Sequence, residues 1–463
     1  MPQKISTILF FLTLIFISIP FSSQAYCEDG SELSIEQYGV TWTFDREYQC
    51  GQFVNGDYWV VDEGSGVTVN IFPEPANGKN GSQINPQSSS QPFDDRTYNY
   101  DPSLLFESGS VLYSGDSLVS TISEVNEGSD EDVLGRYVAD EHAFIQSAAV
   151  LTTLSFAPLP NSFRPPIFGD EKNIYNFNDA DLSVFAEMIA PSSALSHIAD
   201  DQKSITENYA KYLSGPWINW GSDWQGRLIH PLDNMPNYYE YCYYVYSESG
   251  LIINSDMEGK EAVIKNFIQL GIDTYFVTKN GFGDRTVSKF PILVAGIALN
   301  QPDFYNTDYP GFKEILQTYY GTGWSSPTPS VIWRQKIGNE HEETHPSNWD
   351  NIAVPAGGGD LMEAYRRCCS SVSWSGIALA IHAMNIVNEW NHQPFLDYVD
   401  RWHYEAGAID EANMTIIHNY YPTLGGGDSG STESAFTSDM WEAYRDDFYP
   451  TVGPSNPIGL SVL

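Results

Sequence analysis

One segment, residues 217–246, concentrates the residue types best suited to chemistry on a bound ligand. It reads WINWGSDWQGRLIHPLDNMPNYYEYCYYVY, which places Trp and Tyr rings beside Arg, His, Asp and Asn side chains. Aromatic faces stack on sugar rings, while neighbouring polar groups bind the sugar hydroxyls. The spacing Arg227-x-x-His230-x-x-Asp233-Asn234 offers a cation, a base and an amide from one loop. The alternative is an aromatic belt of the core in which His230 and Asp233 only cap the loop.

We predict a carbohydrate site that is built mainly from this segment. The candidate catalytic residues are Arg227, His230, Asp233, Asn234 and Tyr238. Aromatic and cationic side chains that would contact the substrate come from the same segment and from the later chain. The candidate substrate-binding residues are Trp217, Trp220, Trp224, Tyr239, Arg285, Lys289, Arg366 and Trp374.

Basic residues are scarce, and eight of the 22 fall between residues 279 and 367. They are Lys279, Arg285, Lys289, Lys313, Arg334, Lys336, Arg366 and Arg367. This enrichment predicts a local positive patch for an anionic ligand, because the planar guanidinium of Arg binds a carboxylate or sulfate through two hydrogen bonds. The alternative is ion pairing with the abundant Asp and Glu residues.

The string from His341 to His345 matches the H-E-x-x-H pattern, in which two His hold zinc and the Glu activates water. Pro346 follows at once, and the string carries neither an apolar helical stripe nor a clear third ligand. We therefore expect no catalytic metal and no cofactor, and leave open a structural divalent cation. The sequence also contains no P-loop, no dinucleotide-binding glycine motif and no G-x-S-x-G elbow.

The elements that precede the segment have the pattern of β-strands. Val40–Phe44 alternates aromatic with β-branched residues, and the strand pattern recurs at four later places. These are Tyr58–Val61, Val67–Phe72, Ser117–Ser123 and Ala148–Phe156. Asn55-Gly56-Asp57 is a hairpin signal between the first two strands. We predict an antiparallel β-sandwich over residues 26–165.

Residues 166–463 have a mainly helical pattern. Apolar residues at helical spacing predict helices over Leu182–Ile189, Val263–Tyr275, Phe290–Leu299, Phe312–Tyr319, Leu361–Trp390 and Phe395–Trp402. Long aromatic loops, among them residues 214–234 and 321–359, separate these helices. Helix pairs joined by elaborate loops favour an α/α-toroid-like domain. The predicted fold class is thus α+β and multidomain.

The charge balance excludes several classes of partner. The chain of 463 residues has 22 Lys and Arg against 60 Asp and Glu, a net charge of −38. Nucleic acid is a poor partner, because duplex binding requires basic side chains to neutralise phosphates. Anionic membrane surfaces are disfavoured for the same reason. The sequence leaves the oligomeric state open.

The first 25 residues predict export. Lys4 precedes an apolar run over residues 8–19, and Ser23 and Ala25 put small residues at a cleavage site, as in a secretory signal peptide. We expect a secreted or periplasmic protein without a membrane anchor after cleavage. An oxidising compartment would allow Cys27 and Cys50 to pair. The adjacent Cys368 and Cys369 would form a strained bridge with each other, and the alternative for them is buried free thiols on a helix.

Several strings resemble a group of uncharacterised secreted proteins from environmental bacteria. They are Thr41–Phe44, Gly51–Phe53, Asn55–Val61, Phe163–Pro166, His230–Pro236 and Tyr365–Trp374. The resemblance covers most of the chain after the signal peptide, and that group is in turn similar to α/α-toroid polysaccharide lyases of the alginate-lyase type. The Asn-Asn-His-Ser-Tyr string of those lyases is absent. Only its ingredients, His230, Asn234 and Tyr238, occur in one segment.

The resemblance implies β-elimination on a uronic-acid polymer. Asn234 and Arg227 would neutralise the carboxylate next to the acidic proton, which stabilises the enolate-like intermediate. His230 would remove the proton, and Tyr238 or Tyr239 would protonate the leaving oxygen. The net charge opposes a polyanionic substrate, although salt screens that repulsion within about 8 Å at physiological ionic strength.

Three other functions remain open at this point. A glycoside hydrolase would need two carboxylates, for which Asp233 with Asp284 or Glu340 are candidates, and a neutral glycan would suit the acidic surface. A non-catalytic glycan-binding or surface protein would expose aromatic rings without an acid or base. A metalloprotease would use His341 and His345.

Overall fold

The computed structural model describes a mixed α+β protein in which a curled sheet is followed by helices. The described residues are 31–88, 90–96, 100–123, 145–196, 202–216, 218–219, 228–229, 239–279, 288–306, 311–323, 329–338, 340–343, 366, 370–404 and 434–449. The predicted signal peptide lies outside them. The predicted division at residue 165 stays a prediction.

Eight strands form the main sheet in the order β5-β7-β8-β3-β2-β4-β6, and β1 pairs with β2. The strands are β1 (Ser31–Gln37), β2 (Val40–Gln52), β3 (Tyr58–Val61), β4 (Val67–Phe72), β5 (Ser82–Ile84), β6 (Ser110–Leu112), β7 (Ser117–Ser123) and β8 (Ile145–Leu154). Four more strands form two small hairpins, β9 (Ile218–Asn219) with β10 (Leu228–Ile229) and β11 (Thr318–Thr322) with β12 (Pro329–Trp333).

The length of β2 explains why the sheet curls. Residues 41–44 of β2 pair with β4, whereas residues 50–52 pair with β3, so one strand belongs to both halves of the sheet. Its alternating side chains Val40, Trp42 and Phe44 point into the space between the halves. There Trp42 Nε1 donates a hydrogen bond to Ser120 Oγ of β7 at 3.1 Å. The curled sheet therefore encloses its own apolar core.

The strand predictions are confirmed for β3, β4 and β7, whose observed bounds are those read from the sequence. The predicted hairpin is also present, because Phe53 N donates to Asp57 O at 2.8 Å and Gly56 has the φ of +90° that its turn requires. One pairing differs from the prediction. β3 and β8 run parallel, so the sheet is mixed, because the long chain between these strands allows a crossover connection.

Eleven α-helices occur in the described part of the chain. They are α1 (Ser192–Leu195), α2 (Gln202–Leu213), α3 (Tyr239–Ile253), α4 (Lys260–Lys279), α5 (Lys289–Ala298), α6 (Pro302–Tyr305), α7 (Lys313–Gln317), α8 (Ser375–Ala383), α9 (Val387–Trp390), α10 (Gln393–Tyr404) and α11 (Ala435–Phe448). α4 packs on α2 and α5, and α3 packs on α4, α8 and α11. Every described side chain of α3, over residues 245–253, is buried, which makes α3 the central helix.

Three helix predictions were wrong in their extent. Leu182–Ile189 contains only a 3-10 turn, after which Met188 pairs with Ser255 and Ile189 points to solvent. The predicted long helix up to Trp390 is broken after α8, because Asn385 adopts a left-handed φ of 57°. Phe312–Tyr319 divides into α7 and the start of β11, where the β-branched Thr318 opens the strand.

A buried ion network joins the sheet to the helices. Arg164 Nε lies 2.5 Å from Asp57 Oδ2 in the β2–β3 turn, and Arg164 Nη2 lies 2.5 Å from Asp273 Oδ2 in α4. The Arg164 backbone N–H also donates to Gln269 Oε1 of α4 at 2.9 Å. All three charged side chains are buried, and the single Arg164 cation offsets the cost of burying both carboxylates only in part.

Candidate functional site

All five candidate catalytic residues, Arg227, His230, Asp233, Asn234 and Tyr238, lie outside the described residues. The same holds for the candidate binding residues Trp217, Trp220, Trp224 and Arg285, while Tyr239 is known only as the first residue of α3. Their predicted roles are therefore neither supported nor contradicted by geometry. Lys289, Arg366 and Trp374 lie in the described part.

The described flanks of the aromatic segment lie between the sheet and the helices. Before the segment, Ser214 Oγ accepts a hydrogen bond from Tyr38 OH, in the β1–β2 turn, at 3.2 Å. Within it, β9 pairs with β10, and β10 lies against β8 of the main sheet. At its end the segment enters α3, the central helix. Junctions of this kind are common places for ligand sites.

Lys289 and Trp374 have the contacts of structural residues. Lys289 Nζ donates to Trp390 O at 2.5 Å and lies 5.4 Å from the centroid of the Trp390 ring. Trp374 is fully buried, and its ring packs on Phe395 and Tyr398 at centroid distances of 5.5 and 6.0 Å. These positions give no support to the predicted binding roles, because the ring faces of Trp374 contact the core.

Arg366 belongs to a buried ion network. Its Nη1 lies 3.5 Å from Glu342 Oε1 and donates to Tyr398 OH at 3.2 Å. Arg401 Nη2 lies 2.5 Å from the same Glu342 oxygen, while Glu342 Oε2 accepts from Trp333 N at 2.6 Å. The guanidinium of Arg366 therefore has a structural partner, and its predicted contact with substrate finds no support in this position.

The electrostatics of this network follow from burial and from two cations. Burial by itself raises the pKa of Glu342, but the charges of Arg401 and Arg366 outweigh it and hold that pKa below its usual value. Burial raises the pKa of Tyr398 to about 12. A neutral phenol thus lies beside two guanidinium cations that share the Glu342 carboxylate.

A serine-rich turn at the start of α8 adjoins the network. Ser371 Oγ lies 2.7 Å from Tyr398 OH, and Ser375 Oγ lies 2.6 Å from His403 Nε2. The His403 ring stacks on Trp441 of α11 at 4.2 Å, with an angle of 11° between the ring planes. Both serines are fully buried, so the turn places hydroxyl groups inside the helical region.

The central helix reaches the same region from the other side. Ser247 Oγ accepts a hydrogen bond from Ile377 N in α8 at 3.2 Å, and the next residue, Glu248, accepts one from Tyr209 OH of α2. The buried polar residues of this region, together with the half-buried His403, are named here the central polar cluster. They are Tyr209, Ser247, Glu248, Glu342, Arg366, Ser371, Ser375, Tyr398, Arg401 and His403.

The H-E-x-x-H string does not have the geometry of a zinc helix where it is described. His341–Glu343 form a single 3-10 turn, and the ring of His341 contacts Trp333 edge-on at 5.5 Å. Glu342 is engaged by two arginines and an amide, so it cannot also orient water at a metal. His345 lies outside the described residues, within which no group of three or more His, Cys, Asp or Glu side chains can hold a metal.

A surface group that the sequence analysis missed lies on the β11–β12 hairpin. Tyr319 OH donates to Glu343 Oε1 at 2.8 Å, and Tyr320 OH donates to Asp397 Oδ2 of α10 at 2.5 Å. The Tyr320 side chain is 52% exposed. The sequence shows the adjacent Tyr319 and Tyr320 in a β-like string. It does not show their acidic partners, which come from distant positions in the chain.

Two further findings bear on the compartment and on similarity to known proteins. Cys50 in β2 is disulfide-bonded, while its candidate partner Cys27 lies outside the described residues. Across the described helices, none has both the length and the apolar character that a membrane span needs. Comparison with protein-family models, curated proteins and solved structures gives no match.

Proposed function

We propose that this chain is a secreted carbohydrate-active protein, a polysaccharide lyase that cleaves a uronic-acid polymer by β-elimination. One observation carries the proposal. The segment richest in Trp, Tyr, Arg and His continues directly into the central helix α3, beside which the central polar cluster gathers. The disulfide at Cys50 is consistent with export.

The proposal keeps the division of roles that the sequence predicts. Arg227 and Asn234 bind the substrate carboxylate and so stabilise the intermediate that follows loss of the acidic proton. His230 accepts that proton, and Tyr238 or Tyr239 donates one to the leaving oxygen.

The proposal includes a fold. Two sheet halves that share β2 and enclose one core support a β-sandwich, although the β3–β8 pair is parallel. The close packing of α4 on α5 and of α3 on α8 supports helix pairs of the α/α-toroid type.

The test is the ultraviolet absorbance of the unsaturated product during incubation with a panel of uronic-acid polysaccharides, at low and high salt. We expect His230→Ala and Tyr238→Phe to lower the rate at least about 100-fold, the usual contribution of a general acid or base. Tyr113→Phe is the matched control, because Tyr113 is 60% exposed on the β4–β6 side of the sheet. Full turnover by the His230 and Tyr238 variants would overturn the assignment.

A second candidate function is hydrolysis of a neutral glycan. The observation that favours it is Glu248, a buried carboxylate of the central helix that is hydrogen-bonded to a Tyr209 hydroxyl. Glycoside hydrolysis needs such a carboxylate with a second one nearby. Glu340, a candidate from the sequence, instead accepts from Gly338 N at 2.8 Å near Arg334. Release of reducing ends without the ultraviolet signal would favour hydrolysis, provided that the Glu248→Gln variant no longer releases them.

A further inference from the structure

We propose that the outer face of the β11–β12 hairpin and α10 is an accessory binding surface for a neutral hexose polymer. The surface consists of the Tyr320 ring, the Asp397 carboxylate and the Gln393 amide. This inference rests on the proposed function only in that it assumes a glycan-active protein. None of these three residues belongs to the aromatic segment or to the central polar cluster.

The Tyr320 ring has the properties of a stacking platform. About half of the side chain is exposed, and the hydroxyl is held by Asp397 Oδ2 at 2.5 Å, which fixes the orientation of the ring. A ring that is already ordered loses little conformational entropy when a sugar stacks on it. Burial and the Asp397 carboxylate raise the pKa of Tyr320, so its hydroxyl remains a donor.

Polar groups beside the ring are suited to sugar hydroxyls. Gln393 Nε2 donates to Asp397 Oδ1 at 2.7 Å, which holds the amide and the carboxylate side by side. Each carboxylate oxygen accepts more than one hydrogen bond, so Asp397 can still accept from a hydroxyl donor. An aromatic face with a fixed carboxylate and amide at its edge is the combination that binds a pyranose ring.

The charges near the ring select against acidic sugars. Asp397 lies at the ring of Tyr320, and Glu343 accepts from the neighbouring Tyr319 OH. The nearby cation, Arg334, covers the Tyr319 ring at 4.4 Å and lies 3.9 Å from Glu340. A uronate or sulfate on Tyr320 would meet the Asp397 carboxylate, which pairs with no cation in the described part of the chain, whereas a neutral hexose would meet an acceptor for its hydroxyls.

The experiment is affinity electrophoresis of the full chain in gels that contain one neutral polymer each. The probes are hydroxyethylcellulose, mixed-linkage β-glucan, galactomannan and agarose, with alginate and polygalacturonate as acidic probes. We expect retardation by at least one neutral polymer and by neither acidic polymer through this surface. Tyr320→Ala is expected to weaken that binding about tenfold, as loss of one contact worth about 1.4 kcal/mol would.

Two further variants make the result specific to the ring. Tyr320→Phe keeps the aromatic face and should retain most of the binding. Tyr113→Ala removes an equally exposed Tyr from the sheet and should change nothing. The inference is overturned if no neutral polymer retards the chain, if Tyr320→Ala binds as tightly as the parent, or if Tyr113→Ala weakens binding to the same extent.

Failure of this inference is distinguishable from failure of the proposed function. The electrophoretic shift needs no cleavage, and the elimination assay on short oligomers needs no accessory surface. We expect Tyr320→Ala to keep the parent rate on short oligomers. A chain that binds neutral polymers through Tyr320 but never forms an unsaturated product supports the surface and contradicts the lyase.

Discussion

His382, a partly buried residue of α8, contributes to the response of the protein to acid. Its ring packs between Phe448 and Tyr449 at centroid distances of 6.0 and 4.5 Å. Among the described residues its Nε2 atom has no hydrogen-bond partner. Burial lowers the pKa of His382 from 6.5 to about 4, although the charges of Asp397 and Asp400 oppose this shift. In the folded protein the His382 side chain therefore remains neutral down to about pH 4.

The sign of the pH effect follows from that depressed pKa. Below pH 6.5 the unfolded chain takes up a proton that the folded chain refuses until about pH 4, so stability falls across this window. Between about pH 7.5 and about pH 5, we expect His382 to lower the free energy of unfolding by roughly 2 kcal/mol. The His382→Phe variant should not show this loss. Urea unfolding of the parent and the variant at the two pH values measures this difference in the free energy of unfolding. An unchanged pH dependence in the variant would contradict the assigned pKa.

Glu342 is the carboxylate that Arg366 and Arg401 share in the central polar cluster. Glu342→Gln removes the carboxylate charge that Arg366 and Arg401 share, which we expect to lower the free energy of unfolding by about 3–5 kcal/mol. The neighbouring Glu343→Gln is the control, since Glu343 is exposed and should cost about 1 kcal/mol or less. Equal losses in the two variants would mean that the Arg366–Glu342–Arg401 network contributes little.

At the scale of elements, small residues decide how closely helices pack. A Cβ atom on Gly271 of α4 would lie 2.2 Å from Pro291 O and 2.6 Å from Ala295 Cβ of α5. Neither contact is with the end of a flexible side chain, so the helices would have to separate. The close approach of α4 and α5 therefore depends on the missing side chain at this position.

Gly271→Ala tests this packing, because the contact predicts whether the variant is more or less stable than the parent. Alanine in a helix interior is normally more stable than glycine by about 1 kcal/mol. Here we expect the reverse, a loss of about 1–3 kcal/mol from overpacking, measured by thermal and urea unfolding. Glu261→Ala on the exposed side of α4 serves as the control and should be nearly neutral. A stabilised Gly271→Ala protein would contradict the described α4–α5 contact.

At the scale of the whole molecule, the Arg164 network couples the sheet to the helices. Arg164 bonds Asp57 in the sheet and Asp273 in α4, and burial raises the pKa of Asp273 even though the Arg164 charge opposes this. Without Arg164, the buried carboxylates of Asp57 and Asp273 would lose the cation that both contact. The network therefore links the stability of the two regions.

We expect Arg164→Met to lower the free energy of unfolding by at least about 3 kcal/mol, because it leaves uncompensated buried charges. Adding Asp57→Asn and Asp273→Asn should restore part of that loss, since the triple variant carries no buried charge. Circular dichroism and Trp fluorescence should report one shared transition in the parent. A single variant as stable as the parent would show that the network is dispensable.

The central polar cluster and the hairpin surface show which features of a site the sequence could not predict. Arg366 and Trp374 have residue types that suit a ligand, but residue type does not reveal burial. Ser375 with His403, and Tyr320 with Asp397, are distant in sequence and meet only through helix packing. Contacts of this kind leave no local pattern to read.

The sequence by itself determined the local elements. Alternation placed β3, β4 and β7 at their observed bounds, Asn55-Gly56-Asp57 specified the hairpin turn, and apolar spacing located α4 and α5, because each signal acts within a few residues. The tertiary structure alone decided the parallel β3–β8 pair, the break at Asn385 and the burial of Arg164 between two carboxylates. These depend on long-range packing and on desolvation, which no short stretch of sequence encodes.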